Sequence, residues 1–122
     1  MTESIYKIEA TQDTPLFSFD KNNGHIYIKG VSMPENAFEF YDPIEKLVLN
    51  EISGSPVLEI ELSYMNSMSN KQLLKLIKQL AAKTPALKVI WKYASGDSLI
   101  RLKGEEIRSI CVPVEVTLQE LN

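Results

Sequence analysis

Hydrophobic and polar positions along the chain repeat with two different periods, and each period marks a kind of secondary structure. Residues 57–64 alternate apolar and polar side chains with the period of two that is typical of a β-strand. Residues 71–83 repeat apolar side chains every three to four positions, which predicts an amphipathic helix that ends at Thr84-Pro85. The strand register would place four apolar residues on one face: Leu58, Ile60, Leu62 and Tyr64.

Shorter patterns predict the other strands. Residues 16–19 and 25–29 flank a Lys-Asn-Asn-Gly turn and indicate a β-hairpin, whose second strand we expect to end at Gly30. Residues 87–93 and 111–118 bring the set to about five strands. The first 12 residues show little periodicity, and we expect them to form a loosely ordered arm.

Two further helices are predicted from spacing and capping residues. Residues 32–35 are typical of a helix start, with the serine or methionine as cap and the proline in the first turn. Helical spacing runs from Phe38 to about residue 52, and we expect Asp42-Pro43 to bend or split this helix. Asp97 would cap a third helix over residues 98–109.

The order of these elements predicts a single α/β (α+β) domain over residues 1–122. A strand–helix–strand segment from 57 to 93 implies two parallel strands, whereas the hairpin is antiparallel, so the sheet should be mixed. Because only about three helices are available, we expect them all to lie on one face of the sheet.

Composition and charge exclude several classes of protein. The 44% hydrophobic and 24% charged residues are typical of a globular domain, and the net charge of −3 gives no positive field for nucleic acid or an anionic membrane. Cys111 has no cysteine partner for a disulfide, which fits a reducing compartment. No signal peptide is evident, and no apolar run approaches the roughly 20 residues of a membrane span. We therefore expect a soluble, cytoplasmic protein.

Residues for catalysis or metal binding are not grouped in the sequence. His25 lies in the predicted hairpin near no nucleophile, and Cys111 is more simply a core residue than a nucleophile. The acidic pairs Asp13/Asp20 and Glu105/Glu106 are more simply solvated surface than metal ligands. Neither a GxxxxGK[ST] nor a GxGxxG loop is present. The sequence predicts no catalytic residue, no metal and no cofactor.

The segment over residues 64–71 combines a strand end with a helix start. Its Asn66, Ser67, Ser69 and Asn70 are all residues that cap helices, and capping alone would account for them. A helix N-terminus also attracts anions, because its free N–H groups and dipole favour negative charge. A phosphate added here would change which partner can dock without unfolding the helix. A small-ligand or nucleotide-binding domain that uses the same helix end is the alternative.

Ordered motifs over residues 15–115 resemble the SiaC family of bacterial regulatory phosphoproteins, which are small domains similar to STAS-type anti-sigma-factor antagonists. The family pattern is Gly-x-Ser-Tyr-Pro-Glu-Asn, Phe-Tyr-x-Pro, Tyr-Phe-Asn-Thr-Ser-Ser-x-Lys, then Trp-x-Tyr with a following Asp and a later Gly-Glu. The corresponding positions here are residues 30–36, 40–43, 64–71, 91–93, Asp97 and Gly104-Glu105.

This resemblance implies a STAS-like fold and a phosphorylation switch. The family's phosphorylated threonine corresponds to Ser67, and Ser69 is the alternative acceptor. Met68 stands where the family has serine, and Met33 where it has tyrosine.

The resemblance also implies the partners, which are all proteins. The dephosphorylated form would bind and activate a diguanylate cyclase in cyclic di-GMP and biofilm signalling. A protein kinase would block that contact by phosphorylating the switch, and a PPM-type phosphatase would restore it. The expected partner-binding residues lie on both sides of the switch: Met33, Pro34, Glu35, Asn36, Tyr64, Met65, Asn66 and Met68.

Overall fold

Within residues 4–122, six strands form one sheet in the same order as they occur in the chain. The structure is a computed structural model and describes residues 4–122. Three helices alternate with the strands in the second part of the chain. The elements are β1 (Ile5–Ile8), β2 (Leu16–Asp20), β3 (His25–Ser32), α1 (Ala37–Glu51), β4 (Val57–Met65), α2 (Ser67–Lys83), β5 (Lys88–Ala94), α3 (Ser98–Ile110) and β6 (Glu115–Leu121).

The sheet is mixed, as predicted. Strands β1, β2 and β3 pair antiparallel, whereas β3–β4, β4–β5 and β5–β6 pair parallel. A helix connects each parallel pair, because parallel strands need a long crossover. The N-termini of all three helices therefore follow the carboxyl ends of parallel strands at one edge of the sheet.

One face of the sheet forms the core with the helices. Phe17, Ile28, Ile60 and Trp91 lie side by side on β2, β3, β4 and β5, and none is exposed. Helix α1 lies against Phe17 at one end of this row. Helix α3 lies at the other end, where the Trp91 Nε1–H donates to the Ile100 carbonyl at 2.9 Å. The helices share one face, as expected.

The opposite face of the central strands is polar and not covered by a helix. Glu59 on β4 bonds Lys92 Nζ at 2.7 Å and His25 Nε2 at 3.2 Å. Burial would raise the pKa of the Glu59 carboxyl, but the hydrogen bonds from Lys92 and His25 outweigh burial and hold that pKa below its usual value. His25 is thus accounted for by a structural hydrogen bond to Glu59.

The N-terminal part of the chain differs from the expectation. Residues 5–8 form the edge strand β1, which pairs with β2, and not a loosely ordered arm. Its four residues show too little alternation to predict a strand, and long-range pairing stabilises them. Residues 9–12 of the predicted arm follow this strand without helix or strand structure, and residues 1–3 lie outside the described residues.

Three predicted element boundaries are also wrong. Strand β3 continues past Gly30 to Ser32, and α1 begins at Ala37 because Asn36 caps it by accepting from the Glu39 N–H at 3.1 Å. Helix α1 is not split at Pro43, and Glu39, whose carbonyl loses its helical partner there, is an exposed residue. Strand β6 starts at Glu115.

Candidate functional site

The connection between β4 and α2 contains a single residue, Asn66. Its Oδ1 accepts a hydrogen bond from the Ser69 N–H at 2.9 Å, which is N-cap geometry, and its own N–H donates to the Ser32 carbonyl at 3.0 Å. The helix therefore begins at Ser67 rather than at residue 71. This short connection fixes the start of α2 against the end of β3.

Ser67 is the first residue of α2, and its side chain is exposed. The N–H groups of Ser67 and Met68 have no intrahelical acceptor at this position, because the first turn of a helix has no preceding carbonyls. Lys71 lies one turn further along the helix, where a side chain can reach residue 67. A phosphate on the Ser67 hydroxyl would therefore lie at the positive end of the helix dipole and within reach of a lysine.

Ser69, the alternative acceptor, is fully buried. Its Oγ donates to the Ser32 carbonyl at 3.1 Å and lies 2.8 Å from the Ser32 Oγ, which is in turn 2.6 Å from the Tyr41 hydroxyl. Burial raises the pKa of Tyr41 to about 12, although its hydrogen bonds to the two serines act in the opposite direction. Ser69 is therefore a structural residue beneath Ser67, and a kinase could not reach its hydroxyl in the folded protein.

A β-bulge changes which residues of β4 face outward. Gly30 pairs with Leu62 but Val31 pairs with Tyr64, so Ser63 is an extra residue in β4. The predicted alternation of buried and exposed side chains is correct through Leu62, and beyond it the pattern is displaced by one residue. Tyr64 consequently faces solvent, and Met65 is only 3% exposed. Met65 was expected at the contact surface and instead supports it from below.

Four exposed apolar side chains lie at the ends of β3 and β4 and the starts of α1 and α2. We call this set the β4–α2 patch: Met33, Phe38, Tyr64 and Met68, which are 41–52% exposed. Met33 follows Ser32, whose carbonyl binds Asn66, and Phe38 lies beside α2, where Lys75 Nζ is 5.3 Å from its ring centre. Ser67 lies within this patch between Tyr64 and Met68 in the chain.

The other predicted contact residues have different surroundings. Pro34 is buried, whereas Glu35 and Asn36 are exposed and line a shallow depression with Glu39 and Phe40. The Asn36 side chain already caps α1. Glu35 and Glu39 add negative charge to one side of the patch.

Phe38 is the site residue that sequence reasoning missed. Its spacing with Tyr41 fits the predicted helix, yet its side chain is half exposed, and the Lys75 cation lies over its ring. The buried positions of α1 are Ala37, Tyr41, Ile44, Glu45 and Val48, and Phe38 lies at the flank of that face, where helical spacing alone does not decide exposure.

No group of three or more His, Cys, Asp or Glu side chains within residues 4–122 is placed to hold a metal ion. No helix in that part of the chain combines the length and apolar character needed to cross a membrane.

Solved structures from Pseudomonas aeruginosa share this fold. SiaC in the crystal structure of the diguanylate cyclase SiaD with its activator SiaC superposes with a TM-score of 0.84 at 23% identity, over 95% of this chain and 99% of that chain. Apo-SiaC gives 0.76 at 23% identity, over 96% and 99%. A further SiaC structure gives 0.83 at 23% identity, over 98% and 100%.

Sequence comparison identifies the family. An uncharacterized protein of Pseudomonas aeruginosa strain UCBPP-PA14 is 27% identical over 113 residues, which is 85% of this chain and 87% of that protein. The model of the SiaC family of regulatory phosphoproteins matches residues 8–121, nearly the whole chain. The protein therefore belongs to the SiaC family of regulatory phosphoproteins.

Proposed function

We propose that the protein is a partner-switching regulator whose switch is the Ser67 hydroxyl. The unmodified protein binds a diguanylate cyclase through the β4–α2 patch and activates it. A protein kinase phosphorylates Ser67 and ends that contact, and a PPM-type phosphatase restores it. The protein itself carries out no catalytic step, and the exchange takes place in the cytoplasm, where ATP is available.

The observation that carries this proposal is the position of an exposed hydroxyl among exposed apolar side chains. Apolar groups such as Tyr64 and Met68 gain free energy when a partner covers them. A phosphate on Ser67 adds a charge of about −1.5 to −2 in the middle of that surface, and covering a dianion with apolar groups is costly. One modification therefore turns a favourable docking surface into an unfavourable one.

The buried hydroxyls beneath the first turn of α2 limit the effect of phosphorylation to the protein surface. The Ser32–Ser69–Tyr41 hydrogen bonds hold the start of α2 in place from below. The phosphate gains the free N–H groups of the first turn and the nearby Lys71, so it stabilises the helix start. The modified protein stays folded and differs mainly in its surface.

The choice of a diguanylate cyclase as partner rests on family membership and on the solved complex. In Pseudomonas aeruginosa the SiaC of that complex is described as the activator of the diguanylate cyclase SiaD. The small-ligand alternative shares the helix N-terminus but gives no role to four exposed apolar side chains, which suit a protein partner better.

Phosphopeptide mapping tests the switch residue. The protein, the Ser67→Ala variant and the Ser55→Ala variant would each be incubated with the cognate kinase and ATP and digested for mass spectrometry. Ser55 is a matched control because it is also exposed but lies in the turn at the opposite end of β4. We expect phosphate on the peptide with Ser67, retained in Ser55→Ala and lost in Ser67→Ala. Phosphate that persists in Ser67→Ala would contradict the assignment.

A further inference from the structure

A second group of exposed apolar residues lies on α3, away from the β4–α2 patch. Leu99, Leu102 and Ile110 are each more than half exposed. With Glu106 they occupy the spacing i, i+3, i+7 and i+11, which forms one continuous stripe along a helix. The buried side of α3 is different and consists of Ile100, Gly104 and Ile107. The stripe therefore has no partner within the described part of the chain.

The stripe and its charged residues are arranged symmetrically along α3. Leu99 and Ile110 are equally far from the midpoint between residues 104 and 105, and so are Lys103 and Glu106. When two copies of α3 pack antiparallel about that midpoint, Leu99 of one copy meets Ile110 of the other. Lys103 of each copy meets Glu106 of the other in the same arrangement. The two ends of the stripe are thus complementary in apolar character, and its middle is complementary in charge.

From this pattern we infer that α3 is the contact of a homodimer with twofold symmetry, in which the two α3 helices pack antiparallel. Neither Lys103 nor Glu106 forms a salt bridge within residues 4–122, so both charges are available to a second copy. A single helix pair buries a small area, and the dissociation constant should be on the order of micromolar. The inferred contact does not include Ser67 and does not depend on the proposed switch.

Sedimentation velocity over a concentration series up to about 300 µM tests the dimer, because that range brackets a micromolar dissociation constant. The wild-type protein should shift from 13.8 kDa to twice that mass. Lys103→Glu should raise the dissociation constant about tenfold or more, because two like-charge contacts replace two attractive ones. The double variant Lys103→Glu/Glu106→Lys should restore dimerisation, because the exchanged charges meet again.

Two controls separate this contact from other effects. Arg108→Glu changes a charge on the other side of α3 and should leave the dissociation constant unchanged. Circular dichroism of each variant establishes that α3 is still folded. A wild-type protein that remains monomeric over the whole range would overturn the inference. A dimer that is insensitive to Lys103→Glu, or that the charge exchange does not restore, would overturn it as well.

Discussion

Ser32 and Ser69 lie 37 residues apart in the chain, and their hydroxyl oxygens are 2.8 Å apart in the fully buried space beneath the first turn of α2. The Tyr41 hydroxyl completes this group from α1. The three hydroxyls connect β3, α1 and α2 directly under Ser67. Two serines of the same Asn-Ser-Met-Ser segment thus have opposite roles, since one is exposed and one is buried.

Alanine substitutions of the two serines should separate these roles. Ser69→Ala removes a buried hydroxyl and leaves the Ser32 carbonyl without one donor, so the free energy of unfolding should fall by about 1–3 kcal/mol. Ser67→Ala changes an exposed side chain and should change the free energy of unfolding by less than about 0.5 kcal/mol. Urea unfolding followed by circular dichroism measures both. Equal losses in the two variants would contradict the assignment of Ser69 to the core.

Replacement of Gly104 should disturb the packing of α3 on the sheet. An alanine Cβ at this position would overlap the indole of Trp91, whose Nε1 would be 2.6 Å away. We expect Gly104→Ala to lower the free energy of unfolding by about 1–3 kcal/mol, as overpacking does, and to change the Trp91 fluorescence.

Gly54→Ala is the control for Gly104→Ala. Gly54 has a φ of +70° but nothing within 4 Å of an added Cβ, so alanine there causes backbone strain without a clash. The Trp91 fluorescence should stay unchanged in this variant. If Gly104→Ala also left the fluorescence unchanged, α3 would not pack on Trp91 as described.

The ion pairs of Glu59 predict a pH dependence of stability. The folded-state pKa of Glu59 is lowered, so the carboxylate contributes stability above its unfolded pKa of about 4.3 and loses it as the pH falls through the folded value. Glu59→Gln should therefore cost about 1–2 kcal/mol at pH 7 and progressively less below about pH 4. Chemical unfolding at several pH values measures the difference.

Glu105→Gln serves as the control for Glu59→Gln, because it removes a half-buried carboxyl that forms no salt bridge within residues 4–122. Its effect should stay below about 0.5 kcal/mol across the pH range. A cost for Glu59→Gln that did not shrink in acid would mean that the ion pairs with Lys92 and His25 are not what stabilises the charged form.

Substitutions in the β4–α2 patch should weaken partner binding without unfolding the protein. Tyr64→Ala and Met68→Ala each remove an exposed apolar side chain, and each should cost more than about 1 kcal/mol of binding free energy if it lies in the centre of the interface. Ile5→Ala on β1 removes a similarly exposed side chain far along the sheet and should have no effect. Calorimetric titration with the cyclase distinguishes the two groups. Equal losses for Ile5→Ala and Tyr64→Ala would rule out the patch as the contact.

The sequence predicts the parts of this fold that depend on strong local patterns. Strand β4, which begins at Val57, and helix α2, which ends at Lys83, both follow from the periodicity of apolar residues alone. Strand β1 was missed because pairing with β2, not its own four residues, makes it a strand. The final strand was predicted to begin at Cys111, but that residue caps α3, and Pro113 cannot donate to a sheet.

The helix cap at Asn66 was predicted from the sequence, but the surroundings of the two serines were not. The Asn-Ser-Met-Ser segment indicated both a helix cap and a modifiable hydroxyl, and Asn66 indeed caps α2. Which serine is exposed depends on Ser32 and Tyr41, which come close only in the fold. Tyr64 is exposed and Met65 is buried, the opposite of the predicted alternation, because Ser63 forms a β-bulge. The alternation of apolar residues in the sequence does not reveal that bulge.

The most direct test of the central claim is a binding titration of one diguanylate cyclase from the same organism with two forms of this protein. One form is unmodified, and the other carries phosphate on Ser67, confirmed by peptide mapping. We expect the unmodified form to bind and to increase cyclic di-GMP synthesis, and the phosphorylated form to lose both effects while its circular dichroism spectrum stays the same. Equal binding and activation by the two forms would contradict the account.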